Sequence, residues 1–278
     1  MSQTKSDHWS SESYQKSASF VPKLATKILQ WLDPRPDDIV LDIGCGDGVL
    51  DLKIAEILSQ GSGRIYGTDS SPAMIKAAEK TAQGLGVTQC TFEVVDALDI
   101  ARTSSIEKAS FSKAFSNAAM HWILTCPQSR KEDFFAGVRD ALVPGGIFAF
   151  EMGGLGNVSE MRAGLLMGVA RRVGMQKALQ ADPWFFPDEK WATEIMEQTV
   201  GGWKVERVER EWRPTPADEG GVEGWVKLMG KRFFEVVPEE EREDCINEVV
   251  EVLTEVCRNP SGGFTFGYVR LRVLARKL

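Results

Sequence analysis

Apolar residues recur along this chain with two alternating periods, and that alternation predicts its architecture. Leu24, Ile28, Leu29 and Leu32 form one stripe of a helix over Pro22 to Leu32, which D-P-R-P then ends. A β-favouring run begins at Ile39, and Leu50, Ile54, Ile57 and Leu58 follow as a helical stripe closed by G-S-G. Arg64 to Asp69 predicts a second strand, and S-S-P-A-M-I supplies serine caps and Pro72 for the helix after it. Further strands are expected at Cys90 to Val95, Phe111 to Ser116 and Ile147 to Met152, with a helix over Phe134 to Leu142 and a V-P-G-G turn between the last two. Five strands alternating with helices predict an α/β fold with a doubly wound, mostly parallel sheet.

The regularity stops after Met152. Val158 to Gln180 predicts one long helix with Met161, Leu165, Leu166, Val169, Val173 and Met175 as its apolar positions, followed by the aromatic loop P-W-F-F-P. This segment is expected to form a helical cap. Trp203 to Trp212 alternates as a strand, Pro238 to Arg258 is a long helix with three glutamates in its first turn, and Phe264 to Ala275 is the final strand.

The segment Ile39 to Leu50 reads I-V-L-D-I-G-C-G-D-G-V-L, a strand running into Gly44, Gly46 and Gly48. Glycines at such a turn allow positive φ and let a nucleotide-sized ligand approach the backbone. Val49 occupies the place of the third glycine of a dinucleotide fold, so no pyrophosphate site is expected. Asp42 puts a carboxylate at the mouth of the sheet, which suits a cationic or zwitterionic ligand. Asp69 and Asp96 end or follow the next two strands, and Asn117 follows the fourth. Singly, each acid also reads as a helix cap or a solvated loop residue. Jointly they mark the carboxyl ends of the strands, where open α/β sheets bind ligands.

Composition narrows the partners. The chain has 278 residues, 43% of them hydrophobic, enough for one domain with a substantial cap. Its net charge is −7 with no dense Lys/Arg run, which removes the electrostatic footprint expected for nucleic acid. No apolar run approaches the roughly 20 residues that span a bilayer. Five cysteines without a C-x-x-C pair, and only two histidines, predict no metal site. The odd cysteine count and the lack of an apolar leader fit a cytoplasmic protein, and a monomer acting on a small molecule is expected. Cys45 reads as a small packing residue within the glycine turn.

The acid-x-G-x-G-x-G turn resembles the first motif of the class I S-adenosylmethionine-dependent methyltransferases, whose Rossmann-like sheet has seven strands closed by an antiparallel C-terminal hairpin strand. The resemblance implies S-adenosylmethionine as cofactor and S-adenosylhomocysteine as product. Asp42, Gly44, Cys45, Gly46, Gly48, Asp69, Ser70, Met74, Asp96, Ala97, Asn117 and Ala118 then form the cofactor site. Asp69 is expected on the ribose hydroxyls, Asp96 with Ala97 on the adenine amino group, Met74 on the adenine face, and Asn117 with Ala118 at the methionine end. It also implies a division into an N-terminal lid and helix (1–35), a cofactor-binding core (36–153), a cap insertion (154–200) and the C-terminal part of the sheet (201–278).

The segments S-E-S-Y-Q-K-S-A-S-F-V-P-K-L, L-D-P-R-P-D-D-I-V-L-D-I-G-C-G-D-G and S-N-A-A-M-H-W are similar to fungal small-molecule methyltransferases of the ubiquinone-methyltransferase-like group. Within it the chain is most similar to the gliotoxin bis-thiomethyltransferases, which implies S-methylation of a reduced dithiol. Two rivals stand beside that reading: carboxyl methylation of the trans-aconitate type, and a cofactor-binding protein without catalysis. His121 is either a base assisting the transfer or a hydrogen-bonded wall residue. Tyr14, Phe20, Trp122, Met161, Leu165, Trp184 and Phe185 are expected to join it in the substrate pocket, with ordinary core packing the standing alternative for the cap residues, and with Trp9, Tyr14 and Phe20 in a closing lid. Arg162, Arg171 and Arg172 offer a carboxylate clamp or, as such arginines more often do, a solvated helix face.

Overall fold

Apolar strands need both faces covered, and the chain meets that need with seven strands in the order β3-β2-β1-β4-β5-β7-β6. The computed structural model describes residues 25–278, so Tyr14, Phe20 and the expected lid lie outside the described residues. The sheet consists of β1 (Ile39–Ile43), β2 (Arg64–Asp69), β3 (Cys90–Val94), β4 (Phe111–Asn117), β5 (Leu142–Gly153), β6 (Trp203–Pro216) and β7 (Thr265–Lys277). The first five pair in parallel, while β7 lies antiparallel between β5 and β6. Strand order reverses between β1 and β4, and a ligand crevice forms at such a switch point.

Helices α1 (Thr26–Leu32) and α2 (Val49–Leu58) cover one face, where Ile28, Leu32, Ile54 and Leu58 meet Val40, Phe115 and Leu274. After α3 (Pro72–Gly84) and the four-residue α4 (Met120–Ile123), α5 (Gln128–Ala141) covers the other face with Phe134, Phe135 and Val138. Each buried phenylalanine contributes roughly 1.5–3 kcal/mol. Helix α5 starts six residues earlier than the apolar stripe predicts. Its first turns are polar, carry a Gln128–Glu132 hydrogen bond (3.1 Å) and face solvent, so they leave no apolar signature.

The expected V-P-G-G turn is a bulge inside a longer β5, because Leu142 and Ile147 pair with Phe111 and Lys113 on either side of it. The single helix expected over Val158 to Gln180 is two, α6 (Ser159–Val173) and α7 (Met175–Ala181), broken at Gly174 with φ +84°. Next come α8 (Glu189–Glu194), α9 (Gly221–Met229), α10 (Lys231–Glu235) and α11 (Glu239–Cys257). Segment 154–200 does not pack as a unit of its own. Met161, Leu165 and Val169 of α6 share one core with Trp225 and Val226 of α9, Phe233 of α10 and Val249 and Leu253 of α11.

Candidate functional site

The glycine turn is built from the backbone upward. Gly44, Gly46 and Gly48 all have positive φ (+75°, +59° and +77°). The N–H groups of Gly44 and Cys45 donate to the Thr68 carbonyl, and that of Gly46 donates to Asp69 Oδ2 at 3.0 Å. A methyl group on Gly44 would lie 2.2 Å from the Ala119 Cβ, and one on Gly48 2.9 Å from the Ala78 Cβ, whereas one on Gly46 meets no atom within 4 Å. Two glycines therefore serve packing, and Gly46 faces open space on the ligand side.

Asp69 is stapled in place, its other oxygen accepting the Ser71 N–H at 2.9 Å. Ser71 caps α3 by accepting the Met74 N–H at 3.2 Å, while Ser70 stays exposed beside it. Met74 is buried. Asp96 accepts the Leu98 N–H at 3.0 Å and caps the 3-10 turn Ala97–Arg102, so it keeps the cap role and still presents an exposed carboxylate. At the end of β4, Asn117 Oδ1 is buried without a hydrogen-bond partner, and Ala118 adopts a left-handed φ of +57° while its N–H bonds to the Glu151 carbonyl. Such strain in a non-glycine residue costs about 1–2 kcal/mol and collects at functional sites.

Asp42 departs from its expected place. It is 2% exposed and faces Asp51 of α2, which is fully buried. Burial and the neighbouring Asp51 charge push the Asp42 carboxyl well up, and burial raises Asp51 to about 7. Cys45, half-buried near these acids, has its thiol pushed well up too, which keeps it unreactive.

His121 stands at the head of α4, 7% exposed. Its Nδ1 accepts the Gly153 N–H at 3.3 Å, so the neutral ring carries its proton on Nε2. Burial, with Arg270 nearby, pushes its pKa well down. The Phe185 N–H donates to the His121 carbonyl, fixing the aromatic loop to α4. The His121 ring lies 5.7 Å from both Trp122 and Phe186, and Trp184 lies 5.6 Å from Trp122 and 5.9 Å from Phe186. The rings continue through Trp225, 6.0 Å from Trp184, whose indole N–H donates to the Tyr268 hydroxyl at 2.7 Å. A cavity of about 390 Å³ opens against Trp184 and Phe186 on the α6 side.

Two expected pocket residues, Met161 and Leu165, lie completely buried in the cap core, Met161 against the Cys257 sulfur at 3.6 Å. Phe185 lines the same cavity as Trp184 while its ring packs on Trp191 and Lys131, and its neighbour Phe186 stands beside His121. Of the three arginines considered for a clamp, Arg162 alone lines the cavity, and all three already have acidic partners. Arg162 bonds to Asp182 at 2.6 Å, Arg172 binds Glu248 through both terminal nitrogens, and Arg171 is exposed beside the same glutamate.

Other cations occupy the site instead. Glu151, 1% exposed, receives Arg272 on one oxygen and Arg213 on the other at 3.3 Å, with the Arg270 Nε 3.7 Å away. Arg272 also pairs with Glu209 and Glu211, and Lys27 of α1 reaches both. The signal for this group was the alternation Y-V-R-L-R in β7, charged on one face of an interior strand.

The residues present fit S-adenosylmethionine. Gly46 leaves room for close approach, Asp69 and Asp96 offer acceptors beside it, and the orphaned Asn117 Oδ1 is an acceptor suited to the ammonium of a methionine moiety. A family model described as "Methyltransferase domain" matches residues 34–176. An uncharacterized methyltransferase of Schizosaccharomyces pombe, C70.08c, is 38% identical over 275 residues, covering 98% of each chain. The crystal structure of YcgJ from Bacillus subtilis superposes with a TM-score of 0.60 at 16% identity, covering 91% of this chain and 97% of that one. A Haemonchus contortus phosphoethanolamine N-methyltransferase, solved with phosphomonomethylethanolamine and S-adenosylhomocysteine, gives 0.54 at 17% identity over 92% of this chain and 52% of its own. At such identities the two structures establish the shared fold. Family match, near full-length relative and glycine turn agree: the chain belongs to the class I S-adenosylmethionine-dependent methyltransferases.

Proposed function

We propose that this enzyme methylates a small molecule, and that the acceptor is a thiolate of a reduced dithiol of the gliotoxin type. His121 carries the proposal. With Nδ1 engaged by the Gly153 N–H and Nε2 protonated, the ring has no lone pair left to take a proton from substrate. The acceptor must then ionise without this side chain. A thiol of ordinary pKa near 8.5 is already a few per cent thiolate at neutral pH, whereas an alcohol is not.

S-adenosylmethionine, when bound, supplies an electrophilic methyl group. Asp69, Asp96 and the Gly46 backbone would hold its nucleoside, and Asn117 its methionine end. The chain's own contribution at the acceptor is positioning and exclusion of water: Trp122, Trp184 and Phe186 form an apolar wall around a thiolate, and His121 Nε2–H orients the molecule. Carboxyl methylation is the second reading, favoured by the Arg270 guanidinium near His121, because a carboxylate also arrives ionised.

The test is methyl transfer from S-adenosylmethionine by the purified full chain to reduced dithiols, polycarboxylates and alcohols. Thioether products from dithiols are expected. Formation of methyl esters alone, or ether products from alcohols at comparable kcat/KM, overturns the proposal.

A further inference from the structure

Among the described residues, Arg270 is the buried cation with the fewest polar partners. It projects from β7 opposite Gly153, the residue that holds His121, and is 2% exposed. A guanidinium has five N–H donors in a fixed fork. Among the described residues Arg270 makes no hydrogen bond, and its Nε is buried without a partner. Its one ion pair, to Glu151 Oε1, is long at 3.7 Å, and the same oxygen already serves Arg213. The other oxygen of Glu151 is held by Arg272. Tyr268 supports the guanidinium plane, with Cζ 4.9 Å from the ring centroid.

A buried, under-bonded guanidinium costs several kcal/mol, and replacing such groups with apolar ones often stabilises a fold. Stability alone does not explain its retention beside His121, inside the aromatic ring system. We infer that Arg270 is the anchor for a carboxylate of the acceptor molecule, so that the substrate class is a small aromatic or apolar acid bearing the group to be methylated. Planar bidentate recognition is what a guanidinium supplies and a lysine does not. This inference rests on the reading of the His121 pocket as the acceptor site, and it narrows the dithiol class to acids.

The test uses 4-mercaptophenylacetate and its methyl ester, which differ only in the anion. The intact enzyme is expected to favour the acid in kcat/KM by about 10-fold or more, the size of a charge-assisted hydrogen bond. Arg270→Met should bring the acid-to-ester ratio towards one, and Arg270→Lys should restore part of it. Calorimetric binding of phenylacetate to the protein loaded with S-adenosylhomocysteine reads the subsite without any thiol chemistry. Phenylacetate should bind the native protein and not Arg270→Met, with the thermal transition and S-adenosylhomocysteine binding reporting that the variant is folded. If phenylacetate binds but no thiol is methylated, the thiol reading fails and the subsite stands. If acid and ester react alike and phenylacetate does not bind the native protein, the subsite is overturned whatever the fate of the thiol reading.

Discussion

Replacing Asp51 by asparagine tests whether two acids at the root of the glycine turn share a proton. Asp42 and Asp51 are 2% and 0% exposed, and their side chains hydrogen-bond to each other. Burial and repulsion from neighbouring acids raise both carboxyls, Asp51 to about 7, so the pair holds a proton near neutrality. A carboxyl raised in the folded state binds protons there that the unfolded chain does not. Its stabilisation is complete below the ordinary carboxylate range and is lost as pH climbs through the raised value. For a group moved from about 3.9 to about 7, the loss between pH 6 and pH 8 is about 1 kcal/mol. In a chain of 278 residues that corresponds to a fall of about 2 °C in Tm. Asparagine keeps the shape and cannot titrate, and any constant cost of burying its amide cancels when the two pH values are subtracted. Scanning calorimetry or urea unfolding of both proteins at pH 6 and pH 8 gives the double difference. The native protein should lose about 1 kcal/mol more than Asp51→Asn over this interval. Equal losses would refute the shared proton.

Three further outcomes follow from the site geometry. Gly44→Ala should be the more destabilising change, by about 3 kcal/mol or more in urea unfolding, because its methyl meets the Ala119 Cβ at 2.2 Å in a left-handed turn; Gly46→Ala should cost only about 1 kcal/mol but weaken S-adenosylhomocysteine binding at least tenfold by calorimetry, since its methyl enters the ligand's space. For His121, buried and held neutral, the pH profile of kcat/KM between pH 5.5 and pH 8 should show no inflection that His121→Gln removes; an inflection near the ordinary histidine value that vanishes in the variant would make His121 a base.

What was legible in the sequence was what short spacing determines. The parallel strands, the glycine turn and Asp69 at the end of β2 all follow from patterns within a dozen residues, and each stands in the structure where its pattern puts it. Helices α9 and α10 went unread because glycines at 220, 221, 224 and 230 look like loop punctuation, although Val222, Trp225, Val226 and Met229 carry a helical stripe. Met161 and Leu165 were misplaced for a related reason: a stripe shows that a helix has an apolar face, and only the tertiary partner, here α11, decides whether that face lines a pocket or a core.

Charge compensation lies further still from local reading. Arg162 and Arg172 looked available because nothing acidic lies one helical turn away, yet Asp182 and Glu248 neutralise them from 20 and 76 residues along the chain. Arg270 looked like any strand arginine, yet the acid it faces is occupied by Arg213 and Arg272, neighbours set by the pairing of β5, β7 and β6. Whether a cation is spent on structure or left for a ligand is therefore a property of the sheet register. A one-residue slip of β7 would turn Arg270 and Arg272 to the opposite face, remove the partners of Glu151 and empty the pocket of its positive charge, so the register that closes the fold also sets the specificity we infer for it.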